Sequence, residues 1–178
     1  MERYPTYPIW RCVLARTASE LGHAAEARQA LEALAADGFT HLPFDETWLA
    51  SVGLLAETAS ALSDAERASV LYELLLPYSD RVAVSYAEIS TGAVSRPLAL
   101  LAATTERWDD AAHHFEDALE INERIGARPW LAQTQHDYAQ MLLARDAPGD
   151  NKKAQLLLSE ALATYGELGM ARAGQRRA

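Results

Sequence analysis

The feature that most constrains this chain is an alanine that returns at an almost fixed interval along a helix-forming sequence. Its four copies are 41, 43 and 43 residues apart. They are Ala27, Ala68, Ala111 and Ala154. A recurring interval of this length is typical of helical hairpins that stack in series. We therefore expect a repeat architecture rather than a closed helical bundle.

Large and small apolar residues keep fixed distances from each of these alanines. A large apolar residue follows four positions later at Leu31, Tyr72, Phe115 and Leu158, and a further apolar residue follows seven positions later at Leu34, Leu75, Ala118 and Ala161. Steps of four and seven place these residues on one helical face. Each preceding helix offers a bulky residue beside an alanine, at Leu14-Ala15, Leu55-Ala56, Leu98-Ala99 and Tyr138-Ala139. The small residue lets two helices approach closely.

Apolar spacing and composition together predict an all-helical chain. Alanine and leucine supply 60 of the 178 residues, and both are strong helix formers. Glycine and proline fall at plausible joints between helices. The spacing predicts seven or eight helices near 8–21, 24–36, 45–62, 64–76, 92–105, 108–125, 129–145 and 151–168.

Two segments depart from this regular pattern. Residues 78–91 form a connector. Its first part, 78–86, has an apolar-polar alternation but no evident partner strand, and we interpret it as extended chain or a short irregular helix. Pro97 falls where a first helix should already be running. That helix is either kinked at Pro97 or begins near Ser95 with the proline in its first turn, and the second alternative costs less free energy.

The charge balance limits the classes of partner. The net charge is −9, and residues 1–170 alone carry −12 because the last eight residues hold three arginines and no acid. Such an acidic chain is a poor general nucleic-acid binder and a poor ligand for anionic lipid. The single cysteine fits a reducing compartment, and no apolar run approaches the roughly 18 residues of a membrane span. We expect a cytoplasmic protein.

The sequence offers little that points to catalysis. It contains no glycine-rich phosphate loop, so we expect no nucleotide cofactor. His113 and His114 point about 100° apart on a helix, so the two side chains cannot readily coordinate the same metal ion. We therefore expect no metal site. His136, beside the core position Tyr138, is the remaining candidate for acid–base chemistry. Cys12 lies on an apolar helix, where a thiol behaves as a small hydrophobe.

Two segments, ERWDDAAHHFEDALEI and ALSDAERASVLYELLLPY, resemble the tetratricopeptide repeat in their small-large-small spacing. The resemblance implies an antiparallel helix-hairpin, right-handed solenoid of about four repeats over residues 1–170. The period exceeds the usual repeat length, and Leu34 and Leu75 replace the second small anchor in two repeats. We expect the remaining residues, 171–178, to form a basic, disordered tail.

Longer phrases resemble the helical-repeat region of large bacterial signalling proteins, in which an ATPase module of the maltose-activator kind accompanies a nucleotide cyclase or a LuxR-type DNA-binding domain. They are YPIWRCVLARTASELG, ADGFTHLPFDETWLAS, LYELLLPY and GARPWLAQTQHDYAQMLLAR. This resemblance implies a non-catalytic protein- or peptide-binding module of a bacterial signalling or transcription-regulatory system. The alternative that it leaves open is a helical-repeat domain that senses a small-molecule effector.

When such hairpins superpose, their first helices line a concave groove. Aligned on the family pattern, the polar groove candidates are Arg16, Glu57, Arg96, His136 and Gln140. The alternative to ligand contact is that Arg16 and Glu57 pair with each other across adjacent repeats. A homo-oligomer formed through the solenoid ends is a further expectation, since solenoid ends with exposed apolar faces often pair.

Overall fold

A computed structural model describes residues 8–85 and 89–170 of the chain. Within them, eight α-helices follow one another, interrupted once by a short two-stranded sheet. The helices are α1 (Pro8–Glu20), α2 (Ala24–Ala35), α3 (Trp48–Ala61), α4 (Ala65–Leu75), α5 (Ser95–Thr104), α6 (Trp108–Arg124), α7 (Arg128–Arg145) and α8 (Asp150–Glu167). A single 3-10 turn, Leu76–Tyr78, extends α4. The predicted helical-repeat fold is confirmed, and the predicted tail over 171–178 lies outside the described residues.

The helices pack as four consecutive hairpins, α1 with α2, α3 with α4, α5 with α6 and α7 with α8. The hairpins then stack, because α3 packs between α1 and α5, and because α4 and α6 pack against the helix that follows each of them. All four recurring alanines are fully buried, as Ala27, Ala68, Ala111 and Ala154 each have no exposed surface. The repeat spacing in the sequence therefore predicts the packing correctly.

Local chemistry explains where several helices begin. The Asp64 carboxylate accepts a hydrogen bond from the backbone N–H of Arg67 and caps α4. The Asp150 carboxylate accepts from the backbone N–H of Ala147 and from the Arg145 guanidinium, which fixes the turn between α7 and α8. Helix α5 begins at Ser95, so Pro97 lies in the first turn, as the less costly alternative required.

The connector between the second and third hairpins contains extended chain, as one of the two alternatives predicts, but the expectation that it has no partner strand is wrong. Val82–Ser85 (β1) pairs antiparallel with Ile89–Ala93 (β2), with an irregular register after Ala83. Residues 92 and 93, which we had assigned to the start of a helix, belong to the second strand. Its sequence, Ile-Ser-Thr-Gly-Ala, carries no alternation that would have revealed a strand.

The β-hairpin contacts both the third repeat, through Asn122 on α6, and the fourth repeat, through Trp130 on α7. The backbone N–H of Ala93 donates to Asn122 Oδ1 at 3.1 Å, and Asn122 Nδ2 donates to the Thr134 hydroxyl at 3.2 Å. Gly92 adopts φ of +78°, and a Cβ added there would lie 2.9 Å from Trp130 Cβ. Only glycine allows the strand to lie this close to α7.

Candidate binding groove

Four charged side chains join the first helices of all four hairpins. Arg16 Nε on α1 donates to Glu57 Oε2 on α3 at 2.7 Å, and Arg96 Nη1 on α5 donates to Glu57 Oε1 at 2.9 Å. Arg96 Nη2 also donates to Asp137 Oδ2 on α7 at 2.7 Å. We call these four residues, Arg16, Glu57, Arg96 and Asp137, the charged ladder. It crosses the face of the stack on which α1, α3, α5 and α7 lie.

The ladder is buried and electrically balanced. Arg96 is 1% exposed, and its guanidinium lies between two carboxylates. Burial alone would lower the pKa of Arg96, but the charges of Glu57 and Asp137 raise it above its ordinary value. Burial alone would raise the pKa of Glu57, but Arg96 and Arg16 together hold it below its ordinary value. Arg96 and Glu57 are therefore both charged at neutral pH, and the ladder holds two basic and two acidic side chains.

Three of the five groove candidates come together in this ladder. The structure shows that Arg16 and Glu57 pair across adjacent repeats, which is the alternative to ligand contact, and Arg96 joins them. Arg16 Nη2 also pairs with Glu20 Oε1 at 2.8 Å. These side chains hold the repeats in register, and ligand contact by Arg16, Glu57 or Arg96 stays a prediction.

The other two candidates lie against a separate cavity between α5 and α7. His136 is 6% exposed, and its Nδ1 lies 3.5 Å from Asp137 Oδ1, whereas Gln140 is exposed. This α5–α7 cavity has a volume of about 360 Å³, and Leu100 and Phe115 contribute to its apolar wall. The five predicted residues thus divide between two sites that meet at Asp137.

A larger cavity lies on the α1 side of the ladder. It has a volume of about 420 Å³, and its wall comes from α1, α3, β2, α5, α7 and the residue Met170 beyond α8. We call it the α1–α7 cavity. Arg16, Glu57 and Arg96 form its polar floor, and Arg96 also lies over the Trp130 ring with its guanidinium carbon 5.8 Å from the ring centre. Residues from the first and fourth hairpins therefore meet around one space.

A third cavity, of about 380 Å³, lies between α1, α3 and α5. Glu57 and Arg96 contribute to its wall as well as to that of the α1–α7 cavity. The central pair of the ladder therefore separates two cavities. Substituting either residue would change both spaces at once.

Sequence reasoning missed Asp137 and Trp130. Asp137 is not among the predicted groove residues, yet it is 4% exposed and pairs with Arg96. A signal was present, because Asp137 follows Arg96 by 41 residues, the same separation as between Arg16 and Glu57. Trp130 is also absent from the predicted groove residues, yet it lines the α1–α7 cavity and lies against Gly92 of β2.

The remaining reactive side chains do not form a shared centre. His113 is largely exposed beside Asp117, whereas His114 is buried and its Nε2 lies 2.9 Å from the Tyr72 hydroxyl. Cys12 is fully buried, and burial raises the pKa of its thiol to about 12. Among residues 8–85 and 89–170, no three His, Cys, Asp or Glu side chains group as a metal site requires. His136 lies against the α5–α7 cavity next to Asp137.

The second half of the chain matches a known protein family. Residues 88–167 match the family model of the tetratricopeptide repeat. This match supports a tetratricopeptide-repeat domain, and such repeats generally mediate protein–protein interaction as non-catalytic scaffolds. Neither the search of curated proteins nor the search of solved structures found a match. No helix in the described part of the chain is long and apolar enough to cross a membrane.

Proposed function

We propose that this chain is a cytoplasmic, non-catalytic module that binds a protein or peptide through its concave groove, within a bacterial signalling or transcription-regulatory system. The observation that carries the proposal is the α1–α7 cavity, to which all four hairpins and β2 contribute. A partner segment seated there would contact every repeat at once. The tetratricopeptide-repeat match supports the binding role, and the longer sequence phrases support the regulatory setting.

The groove is best tested at Thr17, which is exposed on α1 and lines the α1–α7 cavity. Charge reversal at Arg96 is a poor test because it would set a buried acid against Glu57 and Asp137 and destabilise the fold. Thr17→Trp instead fills the mouth of the cavity without touching the core. Gln29→Trp is the matched control, because Gln29 is equally exposed on α2 and lines none of the cavities described above.

The experiment is a selection of peptides from a random displayed library on the purified chain, followed by affinity measurements with synthetic copies. The proposal expects binders whose affinity falls at least about tenfold with Thr17→Trp, a loss of roughly 1.4 kcal/mol, and stays unchanged with Gln29→Trp. A selection that yields no binder, or binders indifferent to Thr17→Trp, would overturn the groove as the binding site.

A second candidate function is the sensing of a small-molecule effector. The observation that favours it is the volume of the α1–α7 cavity, about 420 Å³, which lies in the range of roughly 300–1,000 Å³ typical of ligand pockets. Three charged side chains converge on its floor. A metabolite that raises the unfolding temperature of the parent chain but not of Thr17→Trp would favour this function over peptide binding.

The exposed end of the stack supports the proposed homo-oligomer. Trp10, Leu14 and Leu21 on or next to α1 are 55%, 65% and 56% exposed. They form an apolar surface at the end of the stack that no repeat within the described residues covers. Sedimentation velocity tests the proposal: self-association that Leu14→Glu abolishes supports it, and a monomer at all concentrations contradicts it.

A further inference from the structure

One polar group lies deep in the wall of the α5–α7 cavity, the imidazole of His136. This side chain is 6% exposed, and its Nδ1 is buried 3.5 Å from Asp137 Oδ1. Its Nε2 makes no hydrogen bond to any residue of 8–85 or 89–170, and unlike Nδ1 it keeps access to the cavity. The second ring nitrogen of a buried histidine is therefore left for a ligand.

The carboxylate of Asp137 determines what that nitrogen can bind. Its Oδ2 accepts hydrogen bonds from Arg96, and its Oδ1 accepts from Gln133 Nε2 at 2.9 Å. A carboxylate beside Nδ1 attracts the ring proton to that nitrogen, even at a distance too long for a hydrogen bond. The Nε2 of His136 then presents a lone pair to the cavity. A ligand must therefore bring a hydrogen-bond donor.

The rest of the wall is mainly apolar and partly aromatic. Leu100 contributes from α5, Trp108 and Phe115 contribute from α6, and Met141 contributes from α7. An aromatic ring that enters this space leaves water and contacts the Trp108 and Phe115 side chains in the arrangements that aromatic pairs favour. The volume of about 360 Å³ lies in the range of roughly 300–1,000 Å³ typical of ligand pockets. The space therefore suits a compact aromatic molecule.

The charge of the wall disfavours ionic ligands. Of the described residues that line the α5–α7 cavity, none is a lysine or an arginine, and the acid among them is Asp137. A carboxylate or phosphate would lose its hydration without meeting a cation, which is costly. A cationic ligand would compete with Arg96, which already donates two hydrogen bonds to Asp137. The cavity therefore suits an uncharged molecule.

We infer that the α5–α7 cavity binds an uncharged phenol, a small molecule whose hydroxyl donates a hydrogen bond to His136 Nε2 and whose aromatic ring packs against Trp108 and Phe115. Gln140, exposed one turn after His136 on α7, lies at the mouth of this cavity. The inference goes beyond the proposed function, because it concerns a second cavity and a ligand of another class.

The test compares three probes on the intact chain at neutral pH, with the NMR signal of the Trp108 indole N–H as the readout. They are 2-naphthol, its methyl ether, which lacks the donor, and 2-naphthoate, which replaces the hydroxyl with an anion. We expect saturable binding of 2-naphthol, at least about fivefold tighter than the ether and at least about tenfold tighter than 2-naphthoate. Equal or tighter binding of either comparison probe would overturn the inference.

Two pairs of variants test the site. His136→Phe keeps a ring but removes the acceptor, so 2-naphthol should bind at least about fivefold more weakly. His113→Phe is its matched control, because His113 is largely exposed and lines none of the cavities described above. Gln140→Trp should fill the mouth and remove binding, whereas Gln29→Trp on α2 should leave it unchanged. If His136→Phe fails to fold, Gln140→Trp and the three probes still decide the inference.

The outcomes separate this inference from the proposed function. Thr17→Trp fills the α1–α7 cavity and should leave 2-naphthol binding unchanged, and a loss with this variant would overturn the location of the site. Tighter binding of a capped tyrosine tripeptide than of 2-naphthol would overturn the assignment to a free small molecule. Absence of saturable 2-naphthol binding would overturn the inference alone, because peptide selection at the α1–α7 cavity does not depend on it.

Discussion

The first and third hairpins carry the same residue pair at the same place in the repeat, and its surroundings differ. Leu14-Ala15 and Leu98-Ala99 are equivalent, and both alanines are fully buried. Leu98 is also fully buried, whereas Leu14 is 65% exposed. The alanine is covered within its own hairpin, but the leucine is covered only when a neighbouring repeat precedes it. The position of a residue within the repeat therefore determines how it packs inside its own hairpin. The position of the repeat in the stack determines whether a residue that faces the preceding repeat is buried.

The two halves also differ in the small residues that define the family pattern. The last two repeats carry Ala118 and Ala161 at the second small position, and both lie in the segment that matches the tetratricopeptide-repeat model. The first two repeats carry Leu34 and Leu75 there, and both leucines are buried. A larger residue at this position is thus compatible with stacking, although it departs from the family pattern.

Truncation to alanine distinguishes the buried leucine of the third hairpin from the exposed leucine of the first. Leu98→Ala should lower the free energy of unfolding by up to about 5 kcal/mol, because it leaves a cavity in the core. Leu14→Ala should change it by less than about 0.5 kcal/mol, because Leu14 is exposed. Urea denaturation of both variants measures the difference. Similar losses would show that Leu14 is covered in solution, as by a second copy of the chain.

The charged ladder provides a second test, because it joins the two halves. Glu57→Gln leaves Arg16 and Arg96 without the carboxylate between them. We expect the free energy of unfolding to fall by about 2–4 kcal/mol, because removing one partner of a buried ion pair leaves the other charge unpaired. Water in the adjoining cavities reduces this loss. Glu20→Gln, at an exposed pair to Arg16, should cost less than about 1 kcal/mol. Equal losses would mean that Glu57 is effectively hydrated.

The attachment of the β-hairpin is tested at two glycines with similar backbone conformations. Gly92 and Gly126 have φ of +78° and +68°, but only at Gly92 would a Cβ clash with Trp130. Both alanine substitutions incur the cost of a left-handed residue, about 1–2 kcal/mol. Gly92→Ala should cost a further 1–3 kcal/mol or so from overpacking. Thermal unfolding in parallel compares them, and equal effects would place the β-hairpin away from α7.

The smallest expected effect concerns the junction between the second and third repeats. Burial lowers the pKa of His114, and Asp117 opposes this only in part. The unfolded chain therefore takes up a proton at His114 as the pH falls through about 6.5, while the folded chain takes it up only at lower pH. Stability should therefore decrease as the pH falls through that range, and His114→Gln should flatten the decrease. A profile that is equally steep in both proteins would contradict this assignment.

Local spacing was sufficient to predict the helices and their hairpin pairing. The recurring alanines and the small-large pairs act within one hairpin or between neighbours, where sequence distance sets spatial distance. The β-hairpin could not be predicted, because Ile89–Ala93 becomes a strand only through pairing with β1 and contact with Asn122 and Trp130. The α1–α7 cavity was equally hidden, since it depends on the curvature of the whole stack.

Opposite charges on the first helices pair across repeats, and through these pairs the charged ladder joins all four hairpins. A double-mutant cycle with Arg16→Met, Glu57→Gln and the double variant measures this directly, with the free energy of unfolding as the readout. We predict that the double variant loses less stability than the sum of the single variants, by about 1 kcal/mol or more. Additive losses, within roughly 0.5 kcal/mol, would show that Arg16 and Glu57 do not interact and would contradict the account.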